Sequence, residues 1–322
     1  MINYKNTNIL VTGASGFIGS RLAAELLDLG ANVYGVSRKE RKSDNDLIWL
    51  QGDLSNSVFV EKIIKQIEPD YIFHLASHVL GARDFEYVQS TFTDNLVTTL
   101  NLLSAVQKYP CKRIILGGSF EEGLNQETRT IPNSPYAASK IAAANYARMF
   151  YKLYQTPVCM TALYMVYGPG QEDLSKLVPH VILKTLKGES PEISSGVRKI
   201  DWIFVDDVVS GLIAMMDAPN IEGQTIELGS GKSISIKDFV NLLTHMVDPN
   251  IQPKFGAVKD RVMEQENSAD VEETFQKIKW KPKTKLKEGL QKTINYYSNF
   301  NKKMGLFLLA DIDCFQFLTA LF

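Results

Sequence analysis

At 322 residues, with 45% hydrophobic and 22% charged side chains, the chain has the makeup of a globular protein able to bury a sizeable core. Its 35 Lys and Arg stand against 36 Asp and Glu, a formal net charge of −1 with the two signs interleaved. That balance excludes a basic stripe for nucleic acid or an anionic membrane patch, so an anionic ligand must be met locally.

Residues 8–12 are a short apolar run followed by glycine, and residues 17–29 carry apolar side chains at helical period before Gly30: strand, tight turn, helix. Further strands are expected at 32–37, 47–52, 71–76 and 113–117, and helices at 58–67, 96–109 and 135–154. Strands alternating with helices imply parallel pairing, because the crossovers cover both faces of the sheet. Beyond a strand at 158–164 the pattern loosens at Gly168-Pro169-Gly170. Helices are expected at 177–186, 207–216 and 236–246, strands at 201–205 and 225–228, and a loop at 194–198. The expected fold is α/β, a doubly wound parallel (Rossmann) sheet over residues 1–165. A smaller α/β substrate-binding lobe follows over 166–300, partly interleaved with the first sheet.

The tail, 301–322, is apolar around Asp311 and Asp313 and falls short of a clean span of about 20 apolar residues. It reads as a docking helix, a peripheral anchor or sequence unrelated to the fold, and no firm membrane association is expected. Cys111, Cys159 and Cys314 are odd in number and lack metal-ligand or CxxC spacing. Reduced thiols in a cytoplasmic protein are expected, and the N-terminus shows no signal segment. His74, His78, His180 and His245 show no tight ligand spacing, so no metal is expected. His74 reads as a packed strand residue.

Thr12-Gly13-Ala14-Ser15-Gly16-Phe17-Ile18-Gly19 lies between the first strand and its helix. Gly13 permits a sharp turn, Gly16 lets the backbone approach a pyrophosphate, and Gly19 lets helix and strand pack closely. The helix N-terminus then faces the negative charge. A glycine triplet alone is weak; the strand–turn–helix setting makes it a dinucleotide signature. An acidic residue after the second strand would hold a ribose 2′-hydroxyl, but Ser37-Arg38-Lys39 stands there. Arginine pairs with a 2′-phosphate, so NADP(H) is expected, with NAD the alternative.

Tyr136-Ala137-Ala138-Ser139-Lys140 places a phenol and an ammonium one helical turn apart. A free tyrosine, with a pKa of about 10, is a poor acid–base group near neutrality, and a neighbouring cation favours its phenolate. Pro135 suits the first turn of that helix. Ser119, after the apolar run at 113–117, is the expected third member, a donor to a substrate carbonyl oxygen.

With these residues in place, the chain resembles the extended short-chain dehydrogenase/reductase family, the nucleotide-sugar epimerases, dehydratases and ketoreductases. The resemblance spans residues 7–297. It rests on the glycine and Tyr/Lys motifs together, supported by Gly52-Asp53-Leu54, His74-Leu75-Ala76, Asp94-Asn95, Val166-Tyr167-Gly168-Pro169-Gly170 and residues 201–208. The segments Ile203–Val208 and Trp280-Lys281-Pro282 are similar to those of NDP-deoxysugar reductases of the CDP-abequose synthase type.

The resemblance implies that Asp53 and Leu54 contact adenine, that Leu75, Ala76 and Ser77 lie along the cofactor, and that Asn95 fixes the helix bearing Tyr136. Lys140 would also hold the nicotinamide ribose. His78 would border the substrate, and Arg198 and Arg261 would meet its phosphates. Several positions depart from the pattern, and Ser119-Phe120-Glu121-Glu122-Gly123 lacks the tyrosine that relatives commonly carry before that glycine. Phe120 replaces the Asp that sugar 4,6-dehydratases carry after the catalytic hydroxyl, which disfavours that activity. Met165 stands where a substrate-contacting Asn is usual, and Ile200 where an Arg is frequent.

The leading expectation is an NADP(H)-dependent oxidoreductase reducing a keto group on a nucleotide-linked deoxysugar with Ser119, Tyr136 and Lys140. The alternative is an NAD-dependent nucleotide-sugar 4-epimerase using the same residues. A non-catalytic dinucleotide sensor is opposed by the intact set. A homodimer is expected through the helix bearing the Tyr/Lys pair, where Ala142-Ala143-Ala144 permits close helix approach.

Overall fold

The computed structural model describes residues 4–42, 46–79, 83–122, 131–260 and 266–310, so Arg261, Cys314 and residues 311–322 lie outside the described residues. The chain runs β1 (Asn8–Thr12), α1 (Phe17–Asp28), β2 (Asn32–Ser37), β3 (Ile48–Gln51), α2 (Ser57–Ile67) and β4 (Tyr71–His74). It continues through α3 (Tyr87–Thr91), a π-helical turn (Phe92–Val97), α4 (Thr98–Lys108), β5 (Arg113–Leu116), a 3-10 turn (Phe120–Glu122), α5 (Pro135–Tyr154) and β6 (Val158–Leu163). Then come β7 (Met165–Tyr167), α6 (Leu177–Leu186), β8 (Glu192–Ile193), β9 (Lys199–Phe204), α7 (Val205–Ala214) and β10 (Thr225–Leu228). The last elements are β11 (Ser233–Ser235), α8 (Ile236–Val247), β12 (Lys254–Phe255), α9 (Val271–Ile278) and α10 (Leu286–Ala310).

Seven strands form one parallel sheet in the order β10-β6-β5-β4-β1-β2-β3. The side-chain period of two sorts each strand between two cores. Ile9 and Val11 of β1, Phe73 of β4 and Ile115 of β5 join one core with Leu22 and Leu26 of α1 and Val208 and Leu212 of α7. Leu10, Ile72 and Ile114 face the other way, onto Ile63 and Ile64 of α2, Leu102 and Val106 of α4 and Phe150 of α5. Helices on both faces make this a doubly wound α/β fold. The strand order turns back beside β1, with β2 on one side and β4 on the other, and such a reversal opens a crevice beyond the strands' carboxyl ends.

The described residues form two compact units, one drawn from 4–166, 199–234 and 266–283, the other from 167–198, 235–260 and 284–310. The first holds the seven-stranded sheet. In the second, α6 packs with α8 and α10, and β8 pairs with β12. Among the described residues no helix is long and apolar enough to cross a membrane.

Candidate functional site

The glycine turn follows β1 at the crevice. Gly13 has φ +71, and a Cβ there would lie 2.7 Å from the Ala76 amide nitrogen; a Cβ on Gly19 would overlap the Gly13 carbonyl oxygen. The turn therefore requires glycine at both places. At Gly16 an added Cβ would meet only the Gly13 carbonyl oxygen, at 3.3 Å. Gly16 is also the N-cap of α1, which has no side-chain cap and no acidic residue in its first turn. By contrast α2, α5, α8 and α9 are capped by Asn56, Ser134, Ser235 and Asp270. An open, uncapped helix N-terminus behind a glycine turn fits a dinucleotide pyrophosphate. Ser15, Phe17 and Ile18 are set around this turn, Phe17 and Ile18 half-buried at the start of α1.

Behind the turn, His74 ends β4 as a buried connector. Its Nδ1 is 2.8 Å from Thr12 Oγ1 and its Nε2 is 3.1 Å from Thr99 Oγ1. Burial first, and then the nearby Lys140 charge, lower its pKa to about 3, so the ring stays neutral. Thr12 Oγ1 accepts from the Ala76 amide at 3.2 Å, joining the end of β1 to the segment after β4. Leu75 and Ala76 lie half-buried there.

Asn95 in the π-helical turn makes four hydrogen bonds from a position 1% exposed. Its Oδ1 accepts from Ser77 Oγ at 2.9 Å and from the His78 amide at 2.7 Å. Its Nδ2 donates to the His78 carbonyl at 3.3 Å and to Ser139 Oγ at 2.9 Å. Ser139 Oγ in turn donates to the Tyr136 carbonyl at 2.7 Å. Asn95 thus ties the segment after β4 to the first turn of α5. Ser139 is a supporting residue that sequence reasoning did not assign, although it lies inside the Tyr136–Lys140 motif.

Tyr136 and Lys140 are both buried on α5, whose N-cap Ser134 accepts from the Ala137 amide at 3.1 Å. Lys140 Nζ donates to the Gly117 carbonyl at 2.6 Å and lies 5.9 Å from the centre of the Tyr136 ring. The lysine therefore links α5 to the end of β5, next to Ser119. Ser119 is 7% exposed, and its Oγ accepts from the Glu121 amide at 3.2 Å. The hydroxyl thus also caps the 3-10 turn, which packs against α5.

Phe120 is buried and stacks on Tyr164, with ring centres 5.5 Å apart and planes at 18°. Tyr164 OH donates to Glu227 Oε2 at 2.9 Å, an oxygen that also accepts from the Asp270 amide. The position where a dehydratase would carry its acid is thus turned into an aromatic core. Asp201, 1% exposed, accepts from the amides of Ser230, Gly231 and Ala269 and from Ser230 Oγ. A buried Asp with so many backbone donors is a loop anchor, which accounts for that part of the 201–208 motif.

Of the cofactor residues after β2 and β3, Ser37 is half-buried, Arg38 and Asp53 are exposed, and Leu54 is buried. Asp53 Oδ1 accepts from the Ser55 amide at 2.8 Å. Of the expected substrate residues, His78 is half-buried with its ring edge-on to Tyr87, and Met165 is half-buried at the start of β7. Arg198, in the second unit, is half-buried, and its carbonyl accepts from the Ile236 amide at 2.9 Å. Among the described residues no group of three His, Cys, Asp or Glu is placed to hold a metal.

A doubly wound sheet with a glycine turn at its crevice and a buried Ser/Tyr/Lys group beside it defines a dinucleotide-dependent enzyme of the short-chain dehydrogenase/reductase type. Residues 9–229 match the NAD dependent epimerase/dehydratase family, and the chain belongs to that family. A UDP-glucuronate 4-epimerase of Thermodesulfobacterium geofontis is 26% identical, the match covering 89% of this chain and 95% of that one. A dTDP-glucose 4,6-dehydratase of Xanthomonas campestris pv. campestris is 26% identical, covering 89% and 92%. The solved structure of MoeE5 in complex with UDP-glucuronic acid and NAD superposes with a TM-score of 0.80 at 28% identity, covering 91% of this chain and 99% of that one.

Proposed function

We propose that the chain is a nucleotide-sugar 4-epimerase working with NAD, the alternative expectation rather than the leading one. What carries the reading is the buried Tyr136/Lys140 pair, tied to the end of β5 through the Gly117 carbonyl, beside an uncapped glycine turn. The similarity to an epimerase and to a structure holding NAD supports this reading over net reduction. A dehydratase is disfavoured because Phe120 fills the acid's position with a stacked ring.

In this reading Tyr136 removes the proton from the sugar's C4 hydroxyl and later returns it. Lys140 lends positive charge to the phenolate and anchors α5. Ser119 donates to the C4 oxygen and keeps it facing the phenol. Bound nicotinamide would accept the C4 hydride and give it back to the opposite face of the ring. Asp53 and Leu54 border adenine, and Leu75, Ala76 and Ser77 run along the cofactor. His78 and Met165 contribute to the sugar diphosphate site.

The test is to incubate the purified chain with UDP-glucuronic acid or UDP-glucose and follow the C4 epimer by NMR. Epimerisation with no net change in reduced-nicotinamide absorbance, lost in Tyr136→Phe while dinucleotide binding persists, is the expected result. Stoichiometric consumption of NADPH with a keto sugar would instead establish the reductase, a second reading motivated by Arg38 after β2. We also propose a homodimer. Tyr146 on α5 and Val88 and Phe92 in the preceding helical stretch are exposed apolar side chains suited to a second copy, and light scattering measures the mass.

A further inference from the structure

Arg38 is the residue on which an NADP expectation rests, and it has a partner. Its Nη1 lies 3.7 Å from Oδ2 of Asp94, in the π-helical turn. That turn is tied by its next residue, Asn95, to Ser77 and His78, just past β4. β2 and β4 flank β1 on opposite sides. The ion pair therefore joins the two banks of the crevice in which the glycine turn stands. A second carboxylate is close: the Ser55 amide first, and the Arg38 guanidinium in lesser part, hold the Asp53 carboxyl below the usual carboxylate range. The same Asp94 oxygen is 3.9 Å from Nδ1 of His78. Arg41, the next arginine along the chain, is directed elsewhere, 5.2 Å over the ring of Trp49.

We propose that Asp94 determines cofactor choice: by engaging Arg38 across the crevice, it makes the adenosine end of the site select NAD over NADP. This rests on the dinucleotide reading above. A 2′-phosphate carries nearly two negative charges and gains most from a guanidinium free to bind it in bidentate fashion. Here the guanidinium is shared with Asp94 and lies near Asp53. A 2′-phosphate drawn to Arg38 would have to sit beside Asp94. A ribose 2′-hydroxyl is neutral and leaves the pair intact. The Arg38–Asp94 contact then closes over the adenosine as a clasp, in keeping with an enzyme that returns its hydride and has no need to exchange cofactor.

The experiment titrates NAD and NADP, without sugar, into the full chain and into Asp94→Asn, Arg38→Ala and the double variant, at low and at physiological salt. Wild type is expected to bind NAD more tightly. Because the pair is solvent-exposed, Asp94→Asn should shift the NADP-to-NAD affinity ratio toward NADP by roughly three- to tenfold, and less at the higher salt. In the Arg38→Ala background the shift should be smaller, since only the direct repulsion between Asp94 and a 2′-phosphate is left to relieve. A purely structural role for Asp94 would weaken both dinucleotides alike and leave the ratio unmoved. A wild type that prefers NADP, or an unmoved ratio, overturns the clasp and leaves the epimerase chemistry standing. A chain that binds neither dinucleotide overturns both.

Discussion

Asn95→Ala probes the connection between the cofactor crevice and the helix carrying Tyr136. The side chain accepts from Ser77 Oγ and the His78 amide, and donates to Ser139 Oγ, in three bonds of 2.7–2.9 Å, with a longer one to the His78 carbonyl. All of this lies at a site shielded from water. At about 1 kcal/mol for each short bond, truncation removes about 3 kcal/mol, since buried partners are left unpaired rather than returned to solvent. For a chain of this size that corresponds to a fall of roughly 4–5 °C in the thermal unfolding midpoint. Turnover should fall as well, because Ser139 loses the contact that holds it while it bonds the Tyr136 carbonyl. Asn95→Asp is the informative companion. It keeps both acceptor contacts but sets a carboxylate against the His78 carbonyl and cannot donate to Ser139. Unfolding followed by circular dichroism, alongside epimer formation, reads both effects. A midpoint within about 2 °C of wild type together with unchanged kcat would refute the reasoning, since a fall that small is well under the stated bond energies.

Two other perturbations follow from the same geometry. Burial and the Lys140 charge lower the pKa of His74 to about 3, from the 6.5 of a free histidine. Between those values the unfolded chain binds one more proton than the folded one, so stability falls on acidification by up to about 1.4 kcal/mol per pH unit. His74→Gln should flatten that slope, and urea unfolding at a series of pH values measures it; equal slopes would remove the assignment of a neutral buried ring. Phe120→Asp should not yield a dehydratase. It places a carboxylate where a ring stacks on Tyr164 in the core, at a cost of about 3–5 kcal/mol for an unpaired buried charge. A soluble variant that eliminated water from dTDP-glucose would contradict this.

The doubly wound architecture was legible because its signals are local. Strand period, helix period and the glycine turn each depend on a few adjacent residues, and the expected strand at 32–37 and helix at 135–154 coincide with β2 and α5. Part of what escaped had no local signature. The helix expected at 96–109 begins earlier, at Tyr87, and includes a π-helical turn at Phe92–Val97. The polar run Ser90-Thr91-Phe92-Thr93-Asp94-Asn95 lacks helical apolar period, and Asn95 is held there by contacts after β4 and on α5. α9 and α10 do carry local signals, α9 in the Asp270 cap three residues before Glu273, and were missed all the same; α9 also packs against β10. The strand expected at 71–76 stops at His74, because the Ala76 amide bonds the Thr12 hydroxyl instead of continuing the ladder.

The cofactor site shows the same division between local and distant information. Ser37-Arg38-Lys39 is a legible local signal, and by the rule for residues after the second strand it points to NADP. That rule assumes a free guanidinium, and whether it is free depends on Asp94, distant in sequence and brought close only because β2 and β4 flank β1. Charge identity is a property of one residue, whereas charge availability is a property of its neighbours. Spacing that leaves an arginine and a carboxylate on opposite banks of one crevice cannot be read from either alone. On the clasp proposal, the preference turns on how far Asp94 and Asp53 offset the positive charge that Arg38 offers a further phosphate.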